Sequence, residues 1–247
     1  MAISVRESIR WLPEAASEPT STIVLTSPER RFVDIRILKD SSGTGSTEED
    51  TPYPPLTSLD WAFAGTSSSE TRNGVRHSTW RHFVDSRTRE PKAVVDEGDV
   101  FSQDHERTLE TGCMVNPATG KLTNYEEIWT DIEAKGDPEG ARSLEDPSPL
   151  VKARCVVLEL RRDDKDERGM VICLGRYCQG VVRVGDKFAA ARSEWEKGHW
   201  VPKYRFGDIH IPTAEVVWPL ELHPDGLKYS TITSDGLVWK VVEASEL

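Results

Sequence analysis

The chain has 247 residues, enough for one large β domain or two of ordinary size. With 37% hydrophobic and 30% charged residues it reads as soluble and globular, and no apolar run approaches the ~18–20 residues a bilayer crossing needs. A net charge of −11 repels phosphate backbones and anionic membranes, which argues against nucleic-acid and membrane partners.

The first eleven residues, Met1 to Trp11, are broken by charge within six positions, so no signal peptide is read and the cytosol, with the nucleus open to it, is the expected location. Strand candidates follow at Ser8–Leu12, Thr22–Thr26 and Phe32–Leu38. In the last, Phe32, Asp34, Arg36 and Leu38 oppose Val33, Ile35 and Ile37, and Pro28 to Arg31 is short enough for a hairpin. A Ser-, Gly-, Pro- and acid-rich stretch from about 39 to 57 cannot bury enough apolar area to offset its ordering entropy and reads as a mobile loop. Leu59–Thr66 restarts β structure, Asn73-Gly74 is a hairpin turn signal, and Val75–Val84 is the next strand. A further pair is expected around Ala93–Val95 and Thr108–Val115. Thr123 with Glu126 fits a capping box, which predicts a short helix over Thr123–Ile132.

The Pro- and Gly-containing run 134–149 reads as a linker, dividing the chain into 1–140 and 149–247. Beyond it, Cys155–Leu160, Gly169–Gly175, Tyr177–Val184, Phe188–Trp195, Lys203–Phe206 and Glu215–Trp218 are strand candidates. The chain closes on a hairpin whose Asp235-Gly236 turn sets Leu237, Trp239 and Val241 on one face. Tryptophans recur at similar places in both halves (Trp80 and Trp195, Trp129 and Trp239), which suggests two copies of one barrel. Three of the four cysteines (Cys113, Cys155, Cys173, Cys178) lie in apolar runs, and free thiols are expected, with a Cys155–Cys173 bond as the alternative.

Catalytic motifs are weak. His77 and His82, five apart in a strand, project to opposite faces and cannot share a metal, and Trp80, His82 and Val84 are placed on one face. Asp104-His105-Glu106 is a triad only on paper, because adjacent residues point apart. Gly43-Thr-Gly45 and Gly120-Lys121 lack the spacing of phosphate loops, and Gly198-His-Trp200 falls mid-domain, not on the first strand of a secreted lipocalin. Adjacent carboxylates, Glu126-Glu127 and Asp163-Asp164, are read as exposed and ionised. No metal or cofactor is expected. The aromatics make the better functional case: Trp61, Phe63, Trp80 and Trp129 in the first half, and Tyr177, Trp218 and Trp239 in the second, either line two interiors or are the core itself. With His82, Arg176 and Gln179 as polar members they would form amphipathic ligand pockets.

Leu59-Asp-Trp-Ala-Phe-Ala-Gly-Thr66, Val171-Ile-Cys-Leu-Gly-Arg-Tyr-Cys-Gln-Gly180 and Thr233-Ser-Asp-Gly-Leu-Val-Trp-Lys-Val-Val-Glu243, with Glu110-Thr-Gly112 and Glu126-Glu-Ile-Trp129, resemble the fungal Hri family from about residue 59 onward. That resemblance implies two consecutive antiparallel lipocalin-like β-barrels with at most short helices, a cytoplasmic and nuclear location, and no established catalytic activity. It also implies a casein kinase I as protein partner, which gives interest to Ser46 and Thr47 as phosphorylation candidates set just before acids. The expected function is therefore non-enzymatic protein interaction. The runner-up is a carrier or sensor of a small apolar or amphipathic molecule, and an isomerase or cyclase on the same fold is the third class. A void of roughly 300 Å³ or more lined by rings would favour the carrier.

Overall fold

The computed structural model describes residues 1–39, 56–104, 106–134, 154–218, 220 and 231–246. Eight strands, β1 (Ala2–Trp11), β2 (Thr20–Thr26), β3 (Arg31–Leu38), β4 (Leu59–Arg72), β5 (Val75–Asp85), β6 (Glu97–Ser102), β7 (Arg107–Val115) and β8 (Leu122–Ile132), run antiparallel in sequence order. They close into a barrel where β8 returns to pair with β1, Val5 opposite Thr130 and Ile9 opposite Glu127. A second antiparallel sheet of seven strands follows: β9 (Arg154–Arg162), β10 (Glu167–Leu174), β11 (Tyr177–Val184), β12 (Lys187–Glu196), β13 (His199–Phe206), β14 (Thr231–Ser234) and β15 (Leu237–Glu246). Its order is β13-β12-β11-β10-β9-β15-β14, and it curls into a half-barrel among the described residues. The all-β expectation is met, helix being confined among the described residues to single turns such as α1 (Ala214–Val217).

Local sequence explains the turns. Asn73-Gly74 (φ 52° and 81°) and Asp235-Gly236 (φ 48° and 76°) take left-handed angles in succession, matching the twist of the strands they join. The Pro28–Arg31 stretch closes the β2–β3 hairpin, Ser27 N–H donating to the Arg31 carbonyl and Arg31 N–H to the Ser27 hydroxyl.

Three expected elements differ. Thr123–Ile132 is strand β8, because Tyr125, Glu127 and Trp129 alternate onto one buried face and both neighbours, β1 and β7, offer a ladder. Residues 93–95 end a short 3-10 turn (Pro91–Ala93), and the strand falls later, at β6. Glu215–Trp218 forms α1 and its C-cap, not a strand; it tucks Ala214, Val217 and Trp218 onto the half-barrel. The expected linker lies outside the described residues from 135, as does the 40–55 loop with Ser46 and Thr47.

The core lies mostly outside the barrel lumen. Ile23, Leu25, Val33, Ile35, Ile37, Ala62, Ala64 and Val84 face outward from β2–β5 and pack against Val157, Met170, Ile172, Leu174, Val181, Ala190 and Phe206 of the second sheet. The other face of that sheet is filled by Leu158, Cys173, Val182, Trp200, Trp218, Trp239 and Val241. Between the units, Gln179 donates through Nε2 to the carbonyls of Ile23 (3.0 Å) and Val33 (3.1 Å). Arg192 donates to Gln179 Oε1 (2.6 Å) and to the Ile35 carbonyl (2.8 Å). Burial alone drags this arginine down to about 10, although nearby Glu194 and Tyr204 oppose that. All four cysteines are free thiols, and Cys173 stands opposite Cys178, with Cys155 opposite Leu174.

Candidate ligand site in the first barrel

With apolar side chains turned outward, alternation forces the polar members of the same strands into the lumen. On β3 this brings Phe32, Asp34 and Arg36 inside, although Val33, Ile35 and Ile37 form the external core. Arg36 donates through Nε and Nη2 to Asp34 Oδ2 (3.0 and 2.9 Å), lies 3.5 Å from Glu127, and stacks over Trp61 (5.0 Å) and Phe63 (5.4 Å). Burial depresses the basicity of Arg36, but Asp34 and Glu127 outweigh it and hold the guanidinium charged. Arg6 pairs with Glu127 and Glu18 and donates to Thr20 Oγ1 (2.9 Å).

A β-bulge at Phe83, opposite the Ala64–Gly65 step, switches the face on which the next residues of β5 lie. Trp80 and His82 project into the lumen, whereas Val84 joins the external core, correcting the shared face expected for the three. The bulge also brings Asp85 alongside His82: Nδ1 to Asp85 Oδ2 is 2.7 Å and Nε2 to Asp96 Oδ2 is 2.9 Å. Burial lowers the imidazole, yet these two carboxylates raise it overall, so His82 is held as a cation with both ring nitrogens donating. Its ring stacks on Phe63 at 4.3 Å. Asp85 also accepts from Trp61 Nε1 (2.9 Å).

Two hollows remain in the lumen, and Arg36 lines both, so its stack on Trp61 and Phe63 divides them. The larger has a volume of about 300 Å³ and is walled by Phe32, Phe63, Trp80 and Trp129 with Asp34, Asp96, Glu110 and Glu127. The smaller, about 220 Å³, is bounded by Trp11, Trp61, Arg87 and Met114. Two buried polar atoms of the larger wall, Asp34 Oδ1 and Trp129 Nε1, have no hydrogen-bond partner among the described residues.

Glu110 is 7% exposed and accepts one bond from Tyr125 Oη (2.8 Å). Burial, then the charges of Glu127 and Asp96, push its carboxyl well above the usual range. Glu127, expected at an exposed helix start, is 3% exposed and bound to Arg6. Its neighbour Glu126 faces the other way toward Arg10.

A family model described as Protein HRI1 matches residues 2–243. The chain belongs to the HRI1 family. Proteins named Protein HRI1 from Saccharomyces cerevisiae strains Lalvin QA23 and S288c are 22% identical to it over 246 residues, 92% of each chain. A crystal structure titled as that of an uncharacterized protein, YLR301w, from the same yeast superposes with a TM-score of 0.72, covering 99% of this chain and 98% of that one at 22% identity. That likeness shows the fold.

Within this HRI1 barrel the structure gathers Trp61, Phe63, Trp80 and His82, four of the eight ligand-contact candidates, around the dividing stack and its chamber. The other four lie elsewhere. Gln179 is consumed by the junction between units, and Trp239 is fully buried against Gly169 in the half-barrel. Arg176 is exposed and Tyr177 half-buried on the β10–β11 hairpin, beside a groove of about 470 Å³ shared with Glu194 and Glu196. Sequence reading missed Asp34, Arg36, Asp96, Glu110 and Glu127. The polar side of β3 was visible in the alternation, but it carries no sign of which side is the lumen.

Proposed function

We propose that the first barrel is a binding chamber for a small amphipathic molecule, and that the protein acts by binding, without turnover. The observation that carries this reading is the chamber of about 300 Å³, walled by four aromatic rings and holding two buried polar atoms without partners. That volume lies at the lower end of the range that holds small ligands, and a buried polar atom without a partner costs about 1–3 kcal/mol unless something bonds to it. His82 does not serve as a base, because both ring nitrogens are engaged by carboxylates. In the half-barrel the corresponding face is packed with Trp200, Trp218 and Trp239.

The interaction reading, with a casein kinase I as partner, rests on the family resemblance and on Ser46 and Thr47, which lie outside the described residues. The chamber gives the binding reading a physical feature, and it therefore stands first. The test uses the neutral fluorescent probe N-phenyl-1-naphthylamine on the full chain. Saturable binding is expected to wild type and to Trp239→Phe, and to be lost in Val100→Trp, which fills the chamber. Binding that survives the filled chamber, or is absent from wild type, would sink the proposal.

A further inference from the structure

Five acids line the larger chamber. Asp131 is exposed and accepts from Ser4 Oγ, and of the other four each has a cation beside it among the described residues, with one exception. Asp34 holds Arg36, Glu127 holds Arg6, and Asp96 holds His82. Glu110 stands directly opposite Glu127 on neighbouring strands, with Val100 on its other side, and its hydrogen bond comes from the neutral Tyr125 hydroxyl. Like-charged residues directly opposed across a ladder destabilise a sheet, and a buried carboxyl without a counter-ion is costlier still. The arginines that line the mouth, Arg30 and Arg76, are exposed, so their charges act on the interior only weakly. Resting on the binding chamber proposed for this barrel, we infer that the chamber takes an organic ammonium ion with an apolar or aromatic body, Glu110 serving as its counter-ion and Trp80 and Trp129 covering its faces.

Three further observations support this class of ligand. Asp34 Oδ1, on a residue 3% exposed, is an acceptor without a donor, and an ammonium N–H supplies one. The indole faces of Trp80 and Trp129 attract a desolvated cation more strongly than a neutral group of the same shape. No three acid, histidine or cysteine side chains among the described residues converge as a metal ion would need, so these acids offer an ammonium ion acceptors without forming a metal-ligand set.

Charge stays balanced as the guest enters. Without a guest, burial and then the charges of Glu127 and Asp96 oppose ionisation of Glu110, while Tyr125 and Arg36 favour it. Entry of an ammonium ion lets the carboxyl ionise, and its proton passes to the buffer.

The test is titration calorimetry of the full chain at pH 7 with 2-phenylethylammonium, neutral 2-phenylethanol and phenylacetate. The ammonium ion is expected to bind at least tenfold more tightly than the alcohol. Glu110→Gln should reduce it to the alcohol's affinity. Independently of any variant, repeating the wild-type titration in buffers of different ionisation enthalpy should reveal proton release with the ammonium ion and none with the alcohol. Equal affinity for alcohol or carboxylate, an indifferent Glu110→Gln, or no proton release would overturn the inference and leave the binding chamber standing. If wild type binds none of the three and not the naphthylamine either, the chamber proposal fails, and this one with it.

Discussion

At the scale of single residues, the barrel interior is governed by charges that cannot reach bulk water. His82 shows how burial and pairing compete. Removal from water disfavours the imidazolium, and the two carboxylates more than restore it. For a histidine raised above its ordinary 6.5, the stabilisation is complete below that value and disappears as pH climbs through the folded-state pKa. Asp85 is lowered despite its burial, so its contribution is present above 3.8 and fades as pH falls. The cluster therefore stabilises the fold most in the window between. His82→Gln is expected to cost about 3–5 kcal/mol at pH 6, the range for breaking a buried ion pair. The deficit should shrink as the solution is made alkaline. Urea denaturation at several pH values reads this directly, and a deficit independent of pH would show that His82 is neutral in the fold.

Among elements, strands β4 and β5 decide what the lumen contains. Gly65 sits at the bulge, and a Cβ there would stand 1.9 Å from the Arg81 carbonyl oxygen, a backbone atom that cannot swing aside. The missing side chain is thus what allows the β5 backbone to approach and turn both His82 and Asp85 inward. Gly65→Ala is expected to destabilise by about 1–3 kcal/mol, as over-packing does, and to weaken N-phenyl-1-naphthylamine binding by shifting the His82–Phe63 stack. Retained stability and binding would mean the bulge is pliable. In the half-barrel, Gly169 plays a related part beneath Trp239, whose ring would lie 2.5 Å from an added Cβ. This tryptophan is packing, whatever its likeness in spacing to Trp129.

For the whole molecule, the two units share one apolar layer and a set of buried polar bonds across it. Gln179 is the centre of that set, satisfying two barrel carbonyls and the guanidinium of Arg192 at once. Gln179→Ala is expected to cost about 1–3 kcal/mol for each buried group left unpaired. Because the shared layer couples both units, scanning calorimetry of wild type should show a single unfolding transition. Two transitions in wild type would show that the layer does not couple them.

The sequence by itself determined the periods, the tight turns and the all-β class, because Asn-Gly, Asp-Gly and strict alternation act through neighbouring residues. It named Trp61, Phe63, Trp80 and His82 as pocket candidates, and their side chains come together in the barrel, whereas Val84, expected on the face of Trp80 and His82, joins the external core. It misread Thr123–Ile132, since a capping pattern is a local signal and the ladders that override it are tertiary, one offered by the preceding strand β7 and the other by β1, more than a hundred residues away. The tertiary structure alone decided which face of each barrel strand looks inward. A second sheet claims the apolar side of β2–β5 as its own core, and the same alternation then drives Asp34, Arg36 and their kind into the lumen. Whether a carboxylate such as Glu110 meets water, a partner or neither depends on that packing, and no run of residues along the chain encodes it.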